Sequence, residues 1–149
     1  MNKIVNILGI LLLLFTTSAK AQEYLQIVSL EAEKGANAVF SSAGTADSKK
    51  GVETNAIKSL IYTLFFQGVE GVNDGKPLVS KPNEAYTNTF FNNQARYTPY
   101  IVSTEEAVKT TKVGGHFQGT TRITLRLRQL INDVRKNTHY EETVAETPN

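Results

Sequence analysis

Residues 47–68 constrain the fold more than any other part of the chain, because their apolar positions follow the period of an α-helix. The apolar stripe consists of Val52, Ala56, Leu60 and Leu64, with Ile57, Ile61 and Phe65 beside it. Such a stripe predicts a helix that buries one face against another layer of structure. Asp47 or Ser48 supplies an N-cap side chain, and Gly68 stands where a left-handed residue ends a helix.

Two segments before this helix have the residue patterns of β-strands. Residues 23–33 alternate between two faces and predict a strand that is buried on both faces at its start. Residues 38–46 predict a second strand of small and β-branched residues, joined to the first by a turn at residues 34–37. Gly44 inside the second strand indicates either a bulge or close packing against a helix.

The second half of the chain predicts one short helix, further strands and a closing helix. Residues 83–93 favour the short helix, and residues 97–103 favour a strand that Pro99 restricts to a strand start or a sheet edge. Residues 107–127 predict two strands around a glycine-containing turn. Apolar residues at helical spacing follow at Leu127, Leu130, Ile131 and Val134. This spacing predicts a C-terminal helix that begins near Leu127.

The order of these elements predicts an α+β fold. We expect a two-layer sandwich in which a largely antiparallel sheet carries one long helix and one C-terminal helix on one face. A single domain is expected over residues 22–138, followed by a flexible polar tail at residues 139–149.

The connection after the main helix, "FFQGVEGVNDGKPLVSKP" at residues 65–82, has a chemical and a structural interpretation. Asn73 and Asp74 beside Gly75 suggest a calcium loop, but such a loop needs acidic oxygens at several alternating positions and a closing glutamate. The same three residues are typical of a plain turn. We therefore expect mainly a connection, with Leu78 and Val79 held against the core.

The first 21 residues have the layout of a cleaved secretory signal peptide. Lys3 precedes the apolar core "IVNILGILLLLF", and Ala19-Lys20-Ala21 forms a small-x-small cleavage pattern. The apolar core has about 12 residues, fewer than the roughly 20 that a membrane-spanning helix needs. No cysteine follows it for attachment of a lipid. We expect a mature chain that begins at Gln22 and is periplasmic or secreted, with no stable membrane span after cleavage.

Cleavage also changes the charge of the protein. The full chain has 16 basic and 14 acidic residues, and removing Lys3 and Lys20 makes the two numbers equal. A role in nucleic-acid binding therefore has no global electrostatic support. Because the sequence contains no cysteine, an exported form of this domain is stabilised by packing and not by disulfides.

The sequence offers few residues for catalysis or for binding a metal or cofactor. His116 lies in a predicted turn and His139 in the predicted tail, and neither has triad or ligand partners at a recognisable spacing. "GGHFQGTT" at residues 114–121 approaches a phosphate-binding loop, but Thr120 stands in place of the lysine and a strand pattern follows. A hairpin turn is therefore the expectation. We assign no catalytic, metal-binding or cofactor-binding residues.

One alternative to a binding role is a small secreted or periplasmic hydrolase with an Asp/Glu-based site. Glu31 with Glu33, and Glu105 with Glu106, are carboxylate pairs of the kind that glycoside hydrolysis uses. The first pair shares a strand face and the second a predicted turn, so we expect both to be solvated surface.

Arg122, Arg126 and Arg128 are the candidate partner-binding residues. They alternate with apolar residues along the predicted last strand, so the three cations are expected on one face. This pattern has a structural interpretation, a solvated sheet face or edge guarded by charge. It also has a functional interpretation, a docking patch for an anionic envelope component or an acidic partner protein.

Two stretches of the chain carry a resemblance to known envelope proteins. "SSAGTADSKKGVETNAIKSLIYTLFFQG" and "GTTRITLRLRQLINDVRKN" resemble the small α+β domains of the LPP20 lipoprotein and flagellar assembly T N-terminal group. There a strand of small residues leads into a long helix, a loop, further strands and a closing helix. The chain departs from that pattern because it lacks the lipid-attachment cysteine and has few alanines in the helix. The resemblance implies an assembly or scaffold role without catalytic residues.

These observations favour an exported, non-enzymatic binding or assembly module of the cell envelope. Its partner is expected to be an envelope protein or a glycan.

Overall fold

The computed structural model describes residues 27–79, 84–92 and 94–144. The predicted signal peptide, residues 23–26 of the predicted first strand and residues 145–149 of the predicted tail lie outside this part of the chain.

Within the described residues the fold consists of one sheet and four α-helices. The strands are β1 (Val28–Lys34), β2 (Asn37–Ala46), β3 (Ile101–Val113) and β4 (His116–Leu125). The helices are α1 (Lys49–Tyr62), α2 (Glu84–Asn92), α3 (Gln94–Tyr97) and α4 (Leu127–Val144). A π-helical turn occupies Thr63–Gln67, and 3₁₀ turns occupy Asn73–Gly75 and Thr98–Tyr100.

The sheet has the strand order β1-β2-β4-β3, and every neighbouring pair is antiparallel. β2 and β4 form its centre in an unbroken register that runs from Ala38 opposite Leu125 to Ala46 opposite Phe117. Both edge strands are irregular, with one register shift in β1 and three in β3. Irregular edges of this kind hinder pairing with a strand of another molecule.

The core lies between one face of the sheet and the helices. Phe40 of β2 and Ile123 of β4 stand opposite each other and are fully buried. All four residues of the predicted α1 stripe are buried against this face, and α4 adds Leu130 and Val134. Burying each of these larger side chains stabilises the fold by about 1.5–3 kcal/mol. The predicted α+β sandwich, with a long and a C-terminal helix on one face of an antiparallel sheet, is confirmed.

Gly44 allows α1 to approach β2 more closely than any other residue would. A Cβ atom at this position would lie 2.0 Å from the carbonyl oxygen of Val52 and 2.9 Å from the amide nitrogen of Ala56. Two residues earlier in β2, and so on the same face, the Ser42 hydroxyl donates a 2.8 Å hydrogen bond to the Ala56 carbonyl oxygen. Gly44 therefore marks close packing against a helix, the second of the two interpretations that its position in the strand allowed.

The ends of α1 follow the capping residues in the sequence. The Ser48 hydroxyl accepts a hydrogen bond from the Gly51 amide at 3.2 Å, which satisfies one free amide of the first turn. At the other end the helix widens into the π-helical turn, and Gly68 stops it with a φ of 86°. A positive φ is accessible to glycine without the steric penalty of a side chain.

The connection after α1 is pinned to the core as the sequence predicted. Leu78 and Val79 are buried, and their amides donate to the carbonyl oxygens of Leu64 and Phe65 at 2.9 and 3.1 Å. The 3₁₀ turn Asn73–Gly75 lies in the chain between the two hydrogen-bonded ends of this connection. The segment is thus a turn and a connection over its described residues.

The structure differs from the sequence-based expectations at three places. Residues 97–103 are not one strand, because Thr98–Tyr100 forms a 3₁₀ turn that begins with the fixed φ of Pro99, and β3 starts only at Ile101. Ile27, near the start of the predicted first strand, is 83% exposed, while residues 23–26, where burial on both faces was predicted, lie outside the described residues. α4 continues to Val144 through residues that we assigned to the tail. The flexibility of that tail stays a prediction.

Candidate functional site

Arg122 lies on the sheet face that points away from the core. Its guanidinium donates to Glu31 of β1 at 2.7 Å and to Glu105 of β3 at 2.9 Å. The two carboxylates raise the pKa of Arg122, chiefly through the hydrogen bond to Glu31. The two carboxylates therefore balance its charge. Arg122 links strands of the sheet through these ion pairs and attracts an external anion only weakly.

Arg126 and Arg128 do not share the strand with Arg122, because β4 ends at Leu125. The Arg126 guanidinium donates to the carbonyl oxygen of Pro99, and its amide donates to Tyr100 at 2.8 Å. Arg128 lies in the first turn of α4, and its exposed side chain has no ion-pair partner among the described residues. The prediction of one strand face with three arginines is wrong, since the strand pattern passes into a helix after Leu125.

The other polar residues considered from the sequence lie apart from one another. His116 is the first residue of β4 and contacts Asp47 at 2.7 Å, with both side chains exposed. The side chain of His139 lies outside the described part. Glu106 accepts a hydrogen bond from the Thr110 hydroxyl at 3.0 Å. In the part of the chain that the structure describes, no group of three His, Asp or Glu side chains is arranged to hold a metal ion.

A groove between the pinned connection and α4 brings together basic side chains that have no ion-pair partner among the described residues. We call it the α4 groove, and it has two adjoining compartments with volumes of about 500 and 300 Å³. The first is lined by Asn73, Lys76, Pro77, Leu78, Val79, Ile131 and Arg135. The second includes Glu33, Asn37, Leu127, Arg128 and Asn132, together with Asn73, Ile131 and Arg135.

Asn73 organises the wall of the groove. Its side-chain amide donates to the carbonyl oxygens of Lys76 at 3.3 Å and Pro77 at 3.2 Å, which closes the turn. Its side-chain oxygen faces Arg135, whose guanidinium donates to it at 3.4 Å. Asn73 and Asp74 have φ values of 50° and 57°, a conformation that asparagine and aspartate adopt more easily than other side chains.

The charges of the groove are mostly positive. Lys76, Arg128 and Arg135 are exposed, and in the described residues none of them forms an ion pair. Glu33 is the one carboxylate among the described lining residues. Because the floor is made of apolar side chains, an anion bound here is partly removed from water, where its attraction to cations is stronger. The groove is therefore suited to a ligand that carries negative charge and apolar groups.

The groups with raised pKa values lie away from this groove. Burial, with the nearby Asp133 carboxylate, raises the pKa of Tyr86 to about 12. Burial also raises the pKa of Tyr100, whose hydroxyl donates to Asp133 at 2.6 Å. Both rings pack against Phe90 of α2. This cluster ties α2 to α4, and its tyrosines keep their protons at neutral pH.

Arg128 is thus the only one of the three predicted arginines that lines the groove, and Lys76 and Arg135 were not predicted. Arg135 follows Arg128 by seven positions and so returns to the same side of α4. That spacing is visible in the sequence, but the approach of Lys76 depends on the tertiary fold.

Comparison of the chain with protein-family models, with curated proteins and with solved structures finds no match. No helix in the described ranges is long and apolar enough to span a membrane.

Proposed function

We propose that the protein is an exported, non-enzymatic binding or assembly module of the cell envelope that engages its partner through the α4 groove. The observation that carries this proposal is the combination of an apolar floor with three exposed cations that no described carboxylate pairs. Arginine is enriched in interfaces because its planar fork binds carboxylates and phosphates. The partner is an envelope protein or a glycan that presents such groups.

The place of action follows from the first residues of the sequence. The layout of residues 1–21 supports export, with a mature chain in the periplasm or outside the cell. The resemblance to the LPP20 lipoprotein and flagellar assembly T N-terminal group supports an assembly role there. The proposal includes no catalytic residue.

The hydrolase alternative has less support from the geometry. A hydrolase of the Asp/Glu type needs two carboxyl groups in one cleft, held at a separation that suits the reaction. Glu33 is the single carboxylate among the described residues that line the groove. Glu31 and Glu105 both bind Arg122 on the open face of the sheet.

Crosslinked capture from intact cells tests the proposal. We expect the full-length gene to yield a chain that begins at Gln22, by intact mass, and to capture a partner that the double variant Arg128→Ser/Arg135→Ser captures poorly. Arg122→Ser is the matched control, because that arginine lies on the other side of the sheet. Equal capture by the double variant and the parent protein would refute the role of the groove, and an uncleaved chain would refute export by cleavage.

A further inference from the structure

The cations of the α4 groove are arranged in a row. The contact between Asn73 and Arg135 is common to both compartments, while Lys76 lines only the first and Arg128 only the second. Arg128 and Arg135 are seven residues apart on one helix, which separates their Cα atoms by about 10 Å along the helix axis. A ligand that uses the whole groove therefore carries more than one anionic group, spaced along its length.

The apolar floor of the groove favours a peptide over a simple polyanion as the ligand. The first compartment is walled by Pro77, Leu78, Val79 and Ile131, and these side chains give no advantage to a polyphosphate or to a sugar chain that bears only charges. A peptide in which acidic and apolar residues alternate can place its apolar side chains against the floor and its carboxylates beside the cations. Apolar contact at the centre with charge at the rim is also the usual composition of protein interfaces.

The polar groups of the second compartment suit a polypeptide backbone. Asn37 and Asn132 are among its lining residues, and an asparagine side chain both donates and accepts hydrogen bonds, as the peptide group does. Glu33 stands in the same compartment and repels a carboxylate. The acidic side chains of the ligand are therefore expected beside Arg128 and Arg135, with an amide or a cation toward Glu33.

We propose that the α4 groove binds an acidic, partly apolar segment of a partner protein, with carboxylates on both sides of the Asn73–Arg135 contact. This inference rests on the proposed function and specifies its ligand. It predicts that affinity falls as salt concentration rises, because the cations are exposed and screened by ions.

Fluorescence anisotropy with the protein purified after expression of the full-length gene tests the ligand class. The probe is a short fluorescein-labelled peptide in which glutamates alternate with leucine and valine, and the matched peptide has glutamine in place of each glutamate. Polyphosphate and vesicles of phosphatidylglycerol provide the other anions. We expect the glutamate peptide to bind and Arg135→Gln to weaken it by about tenfold, the usual effect of losing a hydrogen bond to a charged group. Arg122→Gln should leave binding unchanged.

Each outcome has a distinct meaning. Tighter binding of polyphosphate or of the vesicles than of the glutamate peptide would overturn the inference, as would equal binding of the glutamine peptide. If the glutamate peptide fails to bind while capture from cells still depends on Arg128 and Arg135, the ligand class is wrong and the proposed function stands. If replacing these arginines changes neither capture from cells nor peptide binding, both proposals fail.

Discussion

Replacing Gly44 with alanine should destabilise the protein more than the addition or removal of one methyl group at any other position of β2. The added Cβ would lie 2.0 Å from the Val52 carbonyl oxygen, whereas ordinary contacts of a Cβ begin near 3.4 Å. Because the obstructing atoms belong to the helix backbone and cannot rotate away, α1 must retreat by about 1.4 Å from a close-packed interface. This movement also stretches the hydrogen bond from Ser42 to the Ala56 carbonyl oxygen.

We expect Gly44→Ala to lower the free energy of unfolding by about 3 kcal/mol, the upper part of the usual range for overpacking. For a domain of this size that loss lowers the melting temperature by about 10 °C. Thermal unfolding followed by far-ultraviolet circular dichroism measures the shift.

Two control variants separate a steric clash from other effects. Ala43→Ser adds one atom on the opposite face of the same strand and should leave the melting temperature nearly unchanged. Gly75→Ala meets no atom within 4 Å but has a φ of +73°, so it should cost only about 1–2 kcal/mol of backbone strain. If Gly44→Ala melts as high as the Gly75→Ala variant, the backbone of α1 does not approach Gly44 closely enough to clash with a Cβ atom.

Two further predictions concern the core and the tyrosine cluster. Leu60→Ala should cost about 2–5 kcal/mol because Leu60 is fully buried, while Lys58→Ala should stay within about 0.5 kcal/mol; equal urea midpoints would contradict the packing of α1. The raised pKa values of Tyr86 and Tyr100 mean that the folded protein holds more protons than the unfolded chain above pH 10, so stability falls as the pH rises from about 10 to about 12. Urea unfolding at successive pH values measures this fall, and Tyr86→Phe/Tyr100→Phe should reduce it.

The helical layer could be predicted because its signals are local. The four-residue spacing of the α1 stripe, Ser48 at its start and Gly68 after its end are all contained in one stretch of sequence, and each has the predicted place in the structure. The packing role of Gly44 was one of two interpretations, since a strand glycine next to a helix and one in a bulge have the same sequence context.

The site could be predicted only in part, because a groove is made by segments that are distant in the sequence. Lys76 follows α1 and Arg135 lies in α4, and neither residue type signals that the two line one recess. The arginine pattern misled for a related reason. Alternation through Arg126 and Arg128 continues past Leu125, where the backbone has already turned into a helix. A period of two over a few residues does not report where a strand ends.

The central pairing of the sheet has a consequence for how the chain acquires its fold. β2 must pair with β4, and Ala38 and Leu125 of this pair belong to opposite halves of the sequence. Because the chain emerges N-terminus first, whether from the ribosome or across a membrane, the residues of β1, β2 and α1 become available to fold before those of β4. Non-local pairing of this kind slows folding, since the loop must close before its contacts stabilise anything. During that interval the inner edge of β2 is unpaired and open to wrong partners. A chaperone that shields β2 until β4 is made would therefore raise the yield of folded protein more than one that acts on the complete chain.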